Sequence, residues 1–407
     1  MIKADWKIAV VGGGIGGLTL ALALRQRGIE VDIYEQTGEL REVGAAVALS
    51  ANATRFYDRI GLRAQFDEVC FSISTLIYRD GRDGRDGRVI GKHSGDPSYE
   101  RQFGACYWGI HRADLQAILS KAVGMERIHL SKRLRDLKDS GSEVVLEFED
   151  GSSARADLVI GADGARSLVR RWMLGYDDAL YSGCSGFRGI VPPEMLDLLP
   201  DPDAIQFWVG PGGHLLHYPI GKGDHNFLLV ERNPSPWPVR EWVTAAEQGE
   251  QLRRFGDWHP AVVQMISAVP TSQRWALFHR PPLGRWTRGR VTLLGDAAHA
   301  LVPHHGQGAN QSIEDAVVLA ASLADHGPGR FAEALEHYES LRRGRTRKVQ
   351  FASISTADVL HLPDGPAADA RNARLALRDE VMHNLGWIHD FDPATQVPSE
   401  RQGGTWL

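Results

Sequence analysis

Between Gly295 and Gln311 the chain reads "GDAAHALVPHHGQGANQ", which gathers one Asp, three His and three Gly within seventeen residues. Such a stretch offers a metal site, a nucleophile with its base, or a metal-free cradle for a ligand. The metal reading fares poorly. His299, His304 and His305 are spaced five and one apart, whereas helical ligand pairs sit four apart. A hydrolase nucleophile fares worse, because the chain has no Gly-x-Ser-x-Gly elbow. The cradle reading uses more of the residues. "RVTLLGD" is an apolar run ending in Asp296, at the strand end where ligands sit in open α/β sheets. Gly306 and Gly308 then open a helix whose first amides are uncovered, a site for negative charge. No metal is expected.

Two further motifs precede it. Gly12-x-Gly14-x-x-Gly17 lies between the apolar run "KIAVVG" and an Ala/Leu-rich helix that ends near Gly28. Gly12 allows the tight turn, Gly14 lets a pyrophosphate approach the backbone, and Gly17 lets helix and strand pack closely. Ile15 and Gly16 begin the helix whose N-terminus faces the phosphates. "VDIYEQ" is the next strand, and Glu35 and Gln36 stand at its end. A carboxylate there accepts ribose hydroxyls and disfavours a 2′-phosphate, so FAD or NAD fits better than NADP. The other motif, "ADLVIGADGARSLVRR", is a buried strand ending in an Asp163-Gly164 turn toward Ser167 and Arg170. Alone, it reads as an ordinary turn.

The elements that must position these motifs follow from pattern. Residues 1–72, 100–178 and 270–323 read as a discontinuous nucleotide-binding α/β domain. Residues 73–99 and 179–269 read as a strand-rich second domain, with "CSGFRGIV", "AIQFWVG", "HLLHYPI" and "HNFLLVERN" as strands. Residues 324–393 read as helices and 394–407 as a frayed tail. "ERIHLSKRLRDLKDSGSEVVLEFEDGSSARA" alternates apolar and polar residues around two turns, an antiparallel meander. The tandem Arg-Asp-Gly repeat from Arg79 to Gly87 reads as a lengthened hairpin tip.

Composition excludes several classes. The 407 residues carry a net charge of -5 and are 43% hydrophobic and 24% charged. Neither nucleic acid nor an anionic membrane is an expected partner. Three scattered cysteines form no disulfide framework and suggest a reducing cytoplasm. The apolar run after Lys7 is interrupted by glycines and too short to span a bilayer.

These three motifs, in this order, resemble the FAD-dependent aromatic hydroxylases, the class A flavoprotein monooxygenases. Gly12, Gly14, Gly17 and Glu35 are similar to that family's ADP-binding fingerprint. Asp163, Gly164, Ser167 and Arg170 are similar to its Asp-Gly fingerprint, which serves FAD and the passing nicotinamide. Gly295 and Asp296 are similar to its Gly-Asp fingerprint, where the Asp holds the ribityl chain. Pro303, Gly306 and Gly308, with Ala309 and Asn310 behind them, are similar to its loop beside the isoalloxazine ring. Arg112 in "HRADL" stands where family members place an Arg near FAD. The resemblance runs to the terminal "WIHDFD" and is nearest to the salicylate hydroxylase and 6-hydroxynicotinate 3-monooxygenase branches.

The resemblance implies an α/β fold: a Rossmann-like FAD-binding domain with an inserted β-sheet substrate domain and C-terminal helices, as in p-hydroxybenzoate hydroxylase. It implies FAD as cofactor, NADH or NADPH and dioxygen as co-substrates, and hydroxylation of a small aromatic or heteroaromatic hydroxy acid. Carbon dioxide leaves if oxygen enters where a carboxylate sits. The helix N-terminus after Gly306 answers the opening stretch, since reduced flavin is negative at its pyrimidine edge. A preorganised donor of that kind is worth about 3 kcal/mol where water is excluded. A monomer or homodimer is expected.

On the substrate side, "HLLHYPI" as a strand places His214, Leu216 and Tyr218 on one face. Tyr218 is then expected to orient a substrate hydroxyl and His214 to move its proton. The 6-hydroxynicotinate branch has a similar His and Tyr pair, and a His matching His304 as a relay or base. It also has a His where this chain has Ala48. His217 and Arg188 are expected to point elsewhere. Other readings are a flavin-dependent epoxidase or natural-product tailoring oxygenase, a non-catalytic flavin-binding sensor, and a plain NAD dehydrogenase.

Overall fold

The computed structural model describes residues 6–40, 46–73, 75–82, 86–94, 98–176, 178–233, 236–237, 239, 241–269, 273–377 and 385–397. Part of the Arg-Asp-Gly repeat and the end of the expected tail lie outside them.

The nucleotide-binding half is built on a six-stranded sheet. Its strands run in the order Thr287–Arg288, Val291–Leu293, Leu158–Gly161, Ile8–Val11, Val31–Tyr34 and Ile128–His129. Ile8–Val11 pairs in parallel with Leu158–Gly161 on one side and Val31–Tyr34 on the other. Both faces are covered, so these strands are short apolar runs with every residue of Ile8–Val11 and Leu158–Gly161 buried. The helices Ile15–Arg25 and Gly308–His326 pack against each other beside the sheet. The expected meander forms as Leu134–Asp139, Val144–Phe148 and Ser153–Ala156.

An eight-stranded sheet makes the second half. Its order is Val243–Ala245, Gln273–His279, Leu180–Val191, Asp224–Arg232, Gly213–Ile220, Ile205–Gly210, Thr75–Asp80 and Val89–Ser94. Gln273–His279 lies on the far side of the boundary expected at residue 270, because it pairs with Leu180–Val191. The two-residue period of a strand gives this sheet two different faces. Phe187, Trp208, Leu215, Phe227 and Leu229 pack beneath the helices Glu250–Phe255 and Pro260–Ser267. Their alternate neighbours face the nucleotide-binding half.

Two long helices, Gly308–His326 and Phe331–Leu360, are held together by buried charge. Arg342 donates from Nε to Asp315 at 2.6 Å and also pairs with Glu314, with all three side chains fully buried. Arg345 donates to the same Glu314 at 2.7 Å and to the carbonyls of Trp387 and Ile388. That contact ties the terminal segment to the body, and Pro393 and Val397 are buried. Residues 394–397, expected to belong to a frayed tail, are therefore packed against the body.

Candidate active site

The parallel strands all deliver their C-terminal ends to one cavity of about 1090 Å³. Gly12 follows Ile8–Val11, Glu35 follows Val31–Tyr34, Asp163 follows Leu158–Gly161, and Asp296 follows Val291–Leu293. Each lines the cavity.

The glycines of the first motif divide the labour. Gly12 has φ +112°, and a Cβ there would lie 2.4 Å from the Ala162 carbonyl oxygen. A Cβ on Gly17 would lie 2.1 Å from the Gly12 oxygen. Both positions are closed by packing. Gly14 is extended, with φ −78° and ψ −176°, and a Cβ there would meet nothing within 4 Å. It faces the cavity, as do Ile15 and Gly16. The first turn of the following helix carries no acid, so its free amides present positive potential to that space. Glu35 is oriented by accepted bonds from the amides of Gly13, at 2.7 Å, and Thr37, at 2.9 Å. Gln36 and Arg112 line the same end.

Asp163 turns its carboxylate back on its own loop. It accepts from Ser167 Oγ at 2.5 Å and from the amides of Leu168 and Val169 at 2.7 and 3.1 Å. Burial nonetheless pushes its carboxyl above the ordinary value. Arg170, fully buried, donates to the carbonyls of Ala297 and Ala298 and so bolts this loop to the Gly-Asp turn. Gly295 adopts φ +63° there, with its amide donating to Asp315. Asp296 is different: its carboxylate bonds to no described residue and faces the cavity. Pro303, Gly306, Gly308 and Ala309 complete this wall.

The eight-stranded sheet closes the cavity from the other side, in rows set by strand register. One row runs Arg188, Leu228, Leu216, Phe207, Tyr78 across five strands, and all five line the cavity. The next row brings Asn226 beside Tyr218, then Ile205 and Leu76. Within this apolar ceiling, the side chains of Tyr218 and Asn226 bond to no described residue. His304, in the short turn Pro303–His305, lines the cavity with its ring 5.4 Å from that of His214 on the sheet, and both its ring nitrogens are unpartnered among the described residues.

Comparison with known proteins places this geometry. Residues 5–353 match the family model described as an FAD binding domain. The chain is 37% identical over 394 residues to a 3-amino-4-hydroxybenzoate 2-monooxygenase of Streptomyces platensis, covering 95% of this chain and 96% of the relative. The chain belongs to the FAD-dependent aromatic hydroxylases. It is also 33% identical over 347 residues to a 6-hydroxynicotinate 3-monooxygenase of Pseudomonas fluorescens, covering 84% and 89%. Among solved structures, HpxO of Klebsiella pneumoniae complexed with FAD and uric acid superposes with a TM-score of 0.82 at 30% identity, covering 98% of each chain. The protein is thus an FAD-dependent monooxygenase that uses a reduced nicotinamide and dioxygen on an aromatic substrate. Among the described residues no helix is long and apolar enough to cross a membrane.

Two of the residues expected in this hydroxylase's site stand elsewhere, and one expected to point away lines it. His214 does share a face with Leu216 and Tyr218, but the sheet extends past the cavity there. The end of helix Phe331–Leu360 covers it, and His214 Nδ1 bonds with His361 Nε2 at 2.7 Å. Asn310 faces inward from its helix. It accepts from the Ser50 amide and donates to the carbonyls of Ala48 and Gly306, bracing the loop from behind. Arg188, expected to point away, lines the cavity, whereas His217 lies on the opposite face of the sheet and is fully buried.

Other lining residues carried no sequence signal. Tyr107 lines the cavity, and its hydroxyl bonds to no described residue. His389, from the terminal segment, lines it too and bonds through Nδ1 with Tyr99 at 2.9 Å. Strand alternation marks Asn226 and Arg188 as facing the same way as Leu228, and that was the only available hint.

Burial sets the protonation of Tyr218 and His304. Desolvation, and then Tyr107, raise the Tyr218 phenol above its usual value, although Arg188 opposes this. Desolvation, followed by His361 and His305, lowers His304 to about 3. At neutral pH both groups are uncharged.

Proposed function

We propose that this flavoprotein hydroxylates a small aromatic acid that carries a ring hydroxyl. The carrying observation is the ceiling of the cavity. Leu216, Leu228 and Phe207 make an apolar, water-excluding slot for a flat ring, and Tyr218 and Asn226 place hydrogen-bonding groups at its edge. Relatives that act on 3-amino-4-hydroxybenzoate and 6-hydroxynicotinate support this class. A volume above the roughly 300–1,000 Å³ of ordinary ligand sites leaves room for cofactor and substrate together.

The nucleotide end fits FAD on its own chemistry. Gly14 leaves open space where a pyrophosphate needs it, and the amides of the following helix face that space. Glu35 takes the adenosine ribose, with Gln36 and Arg112 beside it. Asp296, an unclaimed carboxylate, takes a ribityl hydroxyl. Pro303, Gly306, Gly308 and Ala309 flank the ring. FAD supplies the redox chemistry, with a reduced nicotinamide as electron donor and one oxygen atom of dioxygen entering the ring while the other leaves as water.

The chain's own residues handle position and proton. Tyr218 remains a phenol, so it orients the substrate hydroxyl by donating or accepting rather than by acting as a base. His304 remains a neutral imidazole with two unclaimed nitrogens, so it takes a proton on one while releasing one from the other. A weakly basic imidazole serves better as such a relay than as a store for the proton.

The test is NAD(P)H oxidation by the FAD-loaded protein across hydroxybenzoates, aminohydroxybenzoates and hydroxypyridine carboxylates. The proposal expects at least one to accelerate oxidation and gain one oxygen atom. Oxidation that no aromatic acid accelerates would refute it.

A further inference from the structure

We propose that His389 and Tyr107 recognise a second polar substituent on the substrate ring, a hydroxyl or amino group other than the hydroxyl that meets Tyr218, with His389 donating to it from Nε2. This deepens the function proposed above and rests on it.

Both residues come from outside the eight-stranded sheet. Tyr107 precedes the strand Trp108–His111, and His389 belongs to the terminal segment. Both line the cavity, and their rings lie 5.6 Å apart at 73°. Neither the Tyr107 hydroxyl nor His389 Nε2 bonds to a described residue. Tyr107 stands close enough to Tyr218 to help raise its phenol. The pair therefore adds a polar corner to the compartment whose ceiling carries Tyr218 and Asn226.

The proton on His389 is placed by its partners. Tyr99 Oη accepts from the Ala51 amide at 3.0 Å and lies 2.9 Å from His389 Nδ1. The arrangement that satisfies all three groups has the hydroxyl giving its hydrogen to Nδ1. Desolvation, followed by His305 and Arg345, lowers His389 to about 3, so the ring is neutral at pH 7. Its one proton then sits on Nε2, the nitrogen that the protein leaves unclaimed.

The donor is also held in place. The His389 ring packs edge-on against Tyr99, Phe103 and Tyr107, at centroid distances of 5.8, 5.8 and 5.6 Å. Arg345 pins the segment through the carbonyls of Trp387 and Ile388, and Arg55 through that of Phe391. A fixed N–H that no protein acceptor claims discriminates between ligands, because a ring with nothing to offer it leaves a buried donor unpaired. The Tyr107 hydroxyl donates or accepts, so the corner suits a hydroxyl or an amino group alike.

The experiment titrates FAD-loaded protein and follows flavin absorbance, which reads binding without turnover. The probes are 4-hydroxybenzoate, with a single hydroxyl, and 3,4-dihydroxybenzoate and 3-amino-4-hydroxybenzoate, with a second polar substituent beside it. His389→Phe is expected to weaken the two doubly substituted acids by about tenfold while leaving 4-hydroxybenzoate within about twofold of wild type. Tyr107→Phe removes a hydroxyl that the protein itself does not use, so this variant folds, and it is expected to weaken the same two acids about threefold. Tyr99→Phe keeps the His389 ring but releases its tautomer, and is expected to fall between wild type and His389→Phe. If His389→Phe does not fold, Tyr107→Phe decides the assignment. Unaltered affinities, or equal weakening of all the acids, would overturn it, as would a loss of FAD affinity with the ratio between acids unchanged. So would wild-type protein that binds 4-hydroxybenzoate and neither of the others. Wild-type protein that binds no aromatic acid at all would sink the proposed function itself, and that result is visible before any variant is made.

Discussion

His214 Nδ1 lies 2.7 Å from His361 Nε2, and neither ring belongs to the cavity wall. One strand-face neighbour of Tyr218 is therefore a structural contact to the C-terminal helix. His214→Ala is expected to cost about 1–3 kcal/mol of stability, because it strands a buried ring nitrogen. Urea midpoints measure this, and affinity for FAD and aromatic acids should stay unchanged. A fall in turnover with an unaltered midpoint would return His214 to the mechanism.

The two glycines at either end of one motif should fail differently. Gly14→Val adds a side chain where the protein offers no obstacle, so the variant folds but loses FAD, read as a colourless preparation with native circular dichroism. Gly17→Val drives a side chain into the Gly12 carbonyl and should destabilise the domain. A yellow Gly14→Val protein would remove the pyrophosphate from this position.

Tyr218→Phe removes one hydroxyl and little volume. Flavin binding should persist, while product formed per NAD(P)H oxidised should drop several-fold as the substrate hydroxyl loses its partner. Oxygen uptake against product yield reads this coupling directly, and an unchanged ratio would exclude Tyr218 from orienting the substrate.

Buried imidazoles make stability depend on acidity. Burial, with smaller contributions from neighbouring cations and rings, lowers His304 and His389 to about 3 and His361 to about 4, and burial alone lowers His305 to about 4. An unfolded histidine titrates near 6.5. Below that pH the unfolded chain binds protons that the folded chain refuses, so stability falls as pH drops from about 6.5 toward 3. Each such histidine contributes a slope of up to about 1.4 kcal/mol per pH unit. Urea midpoints at pH 7, 6 and 5 with saturating FAD measure the total. His304→Gln should flatten the dependence by roughly one histidine's share.

The cofactor end was legible because its chemistry is local. A glycine with positive φ, a helix opening on bare amides and an acid at a strand end are written in adjacent residues. Gly12, Gly14, Glu35 and Asp296 reach the cavity through such short-range rules. Asn310 shows where these rules stop. It sits in the same short segment, but the turn of its helix aims it at Ser50 and Ala48, residues distant in the chain.

The substrate end was legible only in outline. Alternation along one strand correctly grouped His214, Leu216 and Tyr218, yet gave no sign of where the cavity stops and the covering helix begins. Arg188 was out of reach for a related reason. Its place in the ceiling depends on the register that joins its strand to Asp224–Arg232 and through it to Gly213–Ile220, and a one-residue slip would turn it to the opposite face. From the sequence alone came the α/β class, the nucleotide grip and the absence of a metal-ligand spacing, because each rests on residues a few positions apart. Tertiary structure decided which polar groups share the cavity, because that requires five strands and a distant helix to meet at one register.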